Sequence, residues 1–319
     1  MQALASLLFA IVPMGLYLWG IWAMDRYDRE PIGLLLLNFA WGALGAIFFA
    51  IVFSVSMSEM LGTSDIQNAV FIAPLTEEIT KGIFLLWTVR DRRFDNITDG
   101  VVYGMAIGLG FGMTENFLYF LGASTAGEWV TMVVVRTLFT AVMHAMATGI
   151  LGAFIGYTKF GKSLLRLPLR LLGLGLAMFM HFFWNYSVTL SSPAGIGLGT
   201  VFIFLSLFVI IIVLQLSLLA ENRLLIRELT EEAELGLIPA VHLQYLPFTS
   251  KRRLLGWLSP TIDRKQYIGL ATRLAFRKFQ SRNSHGELRD KYLGEVEELR
   301  GSIGHMLRAD ADDEAARLF

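Results

Sequence analysis

Apolar runs alternate with short polar breaks over the first 220 residues of the chain. The runs are Gln2–Met24, Ile32–Ser56, Asn68–Val89, Val101–Gly122, Glu128–Tyr157, Leu164–Leu190 and Ile196–Ala220. Each is long enough to cross a hydrocarbon layer of about 30 Å as a helix. The pattern predicts an all-α, polytopic membrane protein with seven transmembrane helices. After residue 220 it changes to leucine and isoleucine at helical spacing with charges between them. That predicts a helical tail over residues 221–319 outside the bilayer, and two domains: a membrane-embedded body, 1–220, and the tail.

Composition sharpens this division. The chain is 55% hydrophobic and 17% charged, which excludes a disordered polymer. Only 11 of the 27 Lys and Arg and 12 of the 27 Asp and Glu precede residue 221, so the charge is concentrated in the tail. A net charge of zero gives no basic surface for nucleic acid. With no cysteine, disulfides, thiolate ligands and cysteine nucleophiles are excluded. The first run lacks a basic leader and a small-residue cleavage site, and is read as a retained helix.

The loops supply an orientation. Arg26/Arg29, Arg90/Arg92/Arg93 and Lys159/Lys162/Arg166/Arg170 occupy alternate loops, and the remaining loops between runs carry neither Lys nor Arg. The positive-inside rule then puts the amino terminus outside and the tail in the cytoplasm. For a bacterial source the location is the inner (plasma) membrane, with the lipid bilayer as the immediate partner. In the tail, Lys251-Arg252-Arg253 beside Leu254, Leu255, Trp257 and Leu258 fits either an anionic leaflet or a helix–helix contact.

Four of the runs hold ionisable groups at interior positions. The third carries Glu77, Glu78 and Lys81, the fourth Glu115, the fifth His144, and the sixth His181 with Asn185 one turn later. A charge at the bilayer centre costs about 2.5–3.5 kcal/mol on insertion scales, so such groups persist mainly where they do chemistry or transport. At 1.5 Å per residue, Glu77 and His181 each lie about 14 Å from the outer end of their runs, Glu115 about 10 Å and His144 about 18 Å. That common level predicts one site in the outer half of the membrane. Lys81 reaches Glu77 at i+4 and Glu78 at i+3. Arg136, Thr140, His144 and Thr148 share one face of the fifth run, with Arg136 near its outer boundary, where snorkelling accounts for it as well as contact with a substrate does. Alternatives for the cluster are a non-catalytic scaffold held together by buried polar groups and an ion or proton transporter, although the internal repeat usual in transporters is missing.

Glu77-Glu78-x-x-Lys81, Phe111-x-x-x-Glu115-x-x-x-Tyr119 and single histidines in the next two runs resemble the PrsW family of intramembrane proteases. Asp25…Glu30-Pro31 and Asp99-Gly100-x-x-Tyr103-Gly104 resemble that family too, over roughly residues 10–220. His181-x-x-x-Asn185 is similar to a motif of the related type II CAAX prenyl proteases, but Lys81 stands where those enzymes have Arg one residue later, and Glu115 replaces a His. The resemblance implies a site-1, extracytoplasmic cut in a single-span membrane protein such as an anti-sigma factor under stress. A CAAX-type endopeptidase acting on prenylated proteins is the neighbouring alternative.

A hydrolase on this framework uses water as its nucleophile, because the runs show no Ser-Lys dyad, no aspartyl pair and no His-Glu-x-x-His. By analogy with the CAAX motif, Glu77 is expected to be the base, with Glu78 and Glu115 as partners and the choice between Glu77 and Glu78 open. His181 and Asn185 would then steady the oxyanion, His144 would orient or donate, and Lys81, Phe111 and Tyr119 would support. A metal-dependent version uses the same groups. Glu78, His144 and His181 would hold a divalent ion such as zinc, with water at the open position.

Overall fold

The computed structural model describes residues 1–25, 27, 29–161 and 163–317. Arg26 and Lys162, two of the charges used for orientation, lie outside the described residues. Every long element is an α-helix, and no strand occurs among the described residues. In chain order the helices are α1 (Gln2–Met24), α2 (Ile32–Leu61), α3 (65–88), α4 (Ile97–Gly122), α5 (Ala126–Tyr157), α6 (Ser163–Thr189), α7 (Pro193–Glu234), α8 (Arg264–Arg282) and α9 (Gly286–Arg317). Five of them, α1, α2, α5, α6 and α7, are long and apolar enough to cross a membrane. The protein is a polytopic helical membrane protein. The two less apolar helices of the body are α3, which carries Glu77, Glu78 and Lys81, and α4, which carries Glu115 among glycines.

Two compact units divide the chain. The first comprises Met1–Asp25 and Arg29–Gln215, and the described residues from Leu216 onward fall in the second. At the centre of the first unit lies α4, buried without a break from Thr98 to Gly112 and packed against α1, α2 and α5. Its glycines allow this. A Cβ on Gly104 would stand 2.3 Å from the carbonyl oxygen of Thr148, and one on Gly108 2.3 Å from that of His144. Small residues let two backbones meet where lipid supplies no hydrophobic drive between helices, and here they set the height of His144 against α4. The α1 helix lends one stripe, Ser6, Ala10, Met14, Leu18 and Ile21, at three- and four-residue spacing.

Capping explains where the helices begin. Asn96 accepts from the amides of Thr98 and Asp99 while Asp99 reaches back to the Asn96 amide, so α4 starts at Ile97, ahead of the expected Val101. Ser64 and Gln67 form the same reciprocal cap at the start of α3. Three helices contain a π-helical turn: Trp41–Ala46 in α2, Asn68–Ile72 in α3 and Arg136–Thr140 in α5. Such turns gather at functional sites, and two of these adjoin the ionisable groups of α3 and α5.

The second unit has its own core, in which Leu225, Leu229, Leu246, Trp257, Tyr267, Leu274, Val296 and Ile303 meet. A buried ammonium, Lys278, pairs with Glu232 at 2.6 Å and Glu231 at 3.1 Å, and Arg300 meets Glu232 at 2.7 Å. Of the basic segment 251–253, Arg252 is buried and donates to Thr272 Oγ1 at 3.0 Å, so this side chain takes part in an internal contact.

Candidate active site

The third helix turns its charged residues inward. Pro74 stands at the start of the straight stretch Ala73–Thr88, and from there Thr76, Glu77, Glu78, Thr80, Lys81 and Leu85 are buried on the side facing α2, α5 and α6. The Trp41 indole of α2 donates to the Thr80 carbonyl at 3.1 Å, fixing the height of this turn.

Lys81 is wholly buried and is the hub of the cluster. Its Nζ donates to Glu78 Oε1 at 2.8 Å, and lies 3.0 Å from His144 Nδ1 and 3.5 Å from Glu77 Oε2. The ring of Phe111 covers it at 3.9 Å from the centroid. The imidazole of His144 lies between this ammonium and Glu115, with Nε2 2.7 Å from Glu115 Oε2. Glu78 faces three donors: Lys81, Thr148 Oγ1 at 3.2 Å and His181 Nδ1 at 3.0 Å. The other nitrogen of His181, Nε2, therefore carries the lone pair, and it lies 3.8 Å from Glu77 Oε2. The two imidazoles meet edge to face with centroids 4.7 Å apart.

Residues from α3, α4, α5 and α6 thus converge. Three of them, Glu77, His144 and His181, each present a ligand atom within 4.8 Å of the others. One carboxylate and two imidazoles are a recognised zinc donor set, so the residues present fit a divalent ion. The carboxylate in this triplet is Glu77. Glu78, expected there from the sequence, stands behind His181 and directs its ring, the carboxylate–histidine arrangement that orients metal ligands elsewhere.

The cluster is reached through a cleft of about 240 Å³ lined by Ile47, Ala50 and Ser54 of α2, Glu77 of α3, and Phe111, Glu115 and Tyr119 of α4. Glu77 and Glu115 are the two acidic groups on its wall, with side chains 11% and 19% exposed, against 0% for Glu78. The sequence leaves Arg136 open between a boundary role and contact with a substrate. In the structure it is part of the site, with Nη2 2.5 Å from Glu115 Oε2, Nε donating to Asn116 Oδ1 at 3.1 Å, and the guanidinium 3.6 Å over the Tyr119 ring. Its place on the α5 face shared with His144 was visible from spacing; its reach to Glu115 was not. Asn185 behaves differently. Its amide donates to the carbonyl of Ala69 at 2.8 Å, tying α6 to the π-helical turn of α3. Arg136→Ala is expected to cost about 1.5–3 kcal/mol, the range for a hydrogen bond to a charged group, seen as a lower thermal midpoint in detergent and partly recovered by Arg136→Lys.

The chain is similar to known proteins in sequence. A sequence profile described as PrsW family intramembrane metalloprotease matches residues 30–215, more than half of the chain. A protein named Protease PrsW from Geobacillus kaustophilus is 34% identical over 141 residues, which is 43% of this chain and 59% of that relative. The Protease PrsW of Bacillus subtilis is 29% identical over 168 residues, 50% of this chain and 74% of the relative. That of Oceanobacillus iheyensis is 31% identical over 157 residues, 49% of this chain and 70% of its own. No solved structure matches.

Proposed function

Because the chain belongs to the PrsW family of intramembrane metalloproteases, we propose that it hydrolyses a peptide bond of a membrane-anchored protein at the cleft lined by Glu77 and Glu115. The observation that carries this reading is the meeting of Glu77, His144 and His181 on three helices, next to an open cleft with a second carboxylate on its wall. Glu77, His144 and His181 would hold the metal ion. When bound, a zinc ion polarises a carbonyl and makes water a nucleophile at neutral pH.

The protein's own groups have separate tasks in this proposal. Glu78 holds His181 by its Nδ1–H, and Lys81 balances the charge of the two α3 carboxylates. Glu77 passes from the base expected from sequence to a ligand, because its oxygen lies with the two imidazoles. Glu115 is then the base. It takes the proton of the attacking water as the C–O bond forms, and returns it to the amide nitrogen as the C–N bond breaks. Arg136 keeps Glu115 at the cleft wall.

The substrate we propose is a single-span membrane protein, with an anti-sigma factor as the expectation that the family resemblance carries. Seven spans with the amino terminus outside would place the cleft toward the outer face and the second unit in the cytoplasm. The test uses the full chain in proteoliposomes with a single-span substrate. Chelation is expected to stop cleavage and zinc alone to restore it. Cleavage that is indifferent to chelation would reject the metal-dependent mechanism, and a folded, zinc-loaded protein that cleaves nothing would favour the scaffold reading.

A further inference from the structure

Sixteen residues before Glu115 on α4, about 24 Å away along the helix, a second group of acids is buried. Asp25 is 2% exposed, Glu30 3%, Asp99 3% and Asp95 6%. One oxygen from each of Asp25, Glu30 and Asp99 lies within 4.8 Å of the other two. Glu30 is firmly placed: the Trp22 indole donates to its carbonyl at 2.8 Å, Pro31 follows it, and the Tyr103 hydroxyl donates to its Oε2. Its Oε1 is buried with no hydrogen-bond donor among the described residues. The amides of Asp95 and Asn96 both donate to Asp99 Oδ2.

A Cβ on Gly100 would stand 2.0 Å from the Gly152 carbonyl, so the first turn of α4 is pressed against α5. Buried carboxylates this close repel unless something positive lies between them. Burial above all, with the Asp25 and Asp95 charges adding to it, pushes the Glu30 carboxyl well above the ordinary carboxylate range. A buried carboxylate with one oxygen left without a donor, grouped with two further carboxylates, is the feature that a bound cation satisfies.

We propose that Asp25, Glu30 and Asp99 form a second cation site, separate from the cleft, that takes a hard divalent ion of the Mg²⁺ or Ca²⁺ kind and fastens the start of α4 to the turn between α1 and α2. The donors are all oxygen, which selects hard ions over zinc. The inference stands on this cluster alone and not on the protease reading.

Terbium is a direct probe, because Trp22 and Tyr103 border the cluster and sensitise its emission. The full chain in detergent, stripped of divalent ions, is titrated with Tb³⁺. Sensitised emission is expected, displaced by excess Ca²⁺ or Mg²⁺, and weakened at least ten-fold in Glu30→Gln and in Asp25→Asn. Glu30→Gln keeps an acceptor for Tyr103, so its fold is preserved. His181→Ala should bind terbium at this site like the wild type. A Ca²⁺- or Mg²⁺-dependent rise in thermal midpoint is expected in the wild type and not in the two acid variants. Emission equal in wild type and both variants would overturn the proposal. So would a thermal midpoint that follows pH and ignores divalent ions, which would assign the cluster a shared proton.

Discussion

Glu77→Gln is expected to abolish proteolysis and, with it, to release the zinc. Its Oε2 lies 3.8 Å from His181 Nε2, and an oxygen of Glu77 falls within 4.8 Å of a nitrogen from each of the two imidazoles. Replacing a group one step removed from a metal typically costs about 10–100-fold in affinity, so loss of a direct ligand should exceed that. Metal analysis of the purified variant should then find it empty under conditions that fill the wild type. The fold should survive, because Lys81 keeps its bond to Glu78 at 2.8 Å. A Glu77→Gln protein that retains zinc but does not cleave would return Glu77 to the role of base.

Glu115→Gln should give the complementary result: zinc retained, cleavage reduced by about 10²–10⁴-fold, the usual range for removal of a general base. Glutamine still accepts from Arg136, so the geometry is kept while the proton acceptor is lost. The rate should not be restored by raising pH, since no ionisable oxygen remains at that position. If Glu115→Gln cleaves like the wild type, another group moves the proton and the division of labour proposed here fails.

These two outcomes separate acids that the sequence alone could not tell apart. Charged residues in apolar runs pointed to Glu77, Glu78, Lys81, Glu115, His144 and His181, and all six meet in the folded protein. Which carboxylate faces which imidazole was not legible. Adjacent helical residues point about 100° apart, and only the placing of α6 beside α3 decides that Glu78 bonds His181 Nδ1 while Glu77 lines the cleft. Arg136 shows the same limit from the other direction. Spacing put it on the His144 face, but its bond to Glu115 depends on the π-helical turn Arg136–Thr140 and on the packing of α5 against α4.

Asn185 marks another such boundary. A motif spacing on α6 placed it one turn from His181, yet its amide holds the Ala69 carbonyl. Nothing in the local sequence announces a π-helical turn in α3 that presents that carbonyl. The acidic group at the far end of α4 was visible only as scattered family-like residues. Asp25 and Asp99 are far apart in sequence, and their meeting depends on α1 and α2 both packing on α4. The helices themselves were the most legible feature, because length and apolarity determine them directly; the caps at Asn96 and Ser64 moved two of their starts by a few residues.

The most direct test of the central claim is X-ray absorption at the zinc edge on the zinc-loaded, full-length protein. Two imidazoles and a carboxylate around one ion predict a mixed nitrogen and oxygen shell with the multiple-scattering signature of two histidines, falling to one in His181→Ala. A wild-type spectrum without histidine scattering, or one that His181→Ala leaves unchanged, would contradict it.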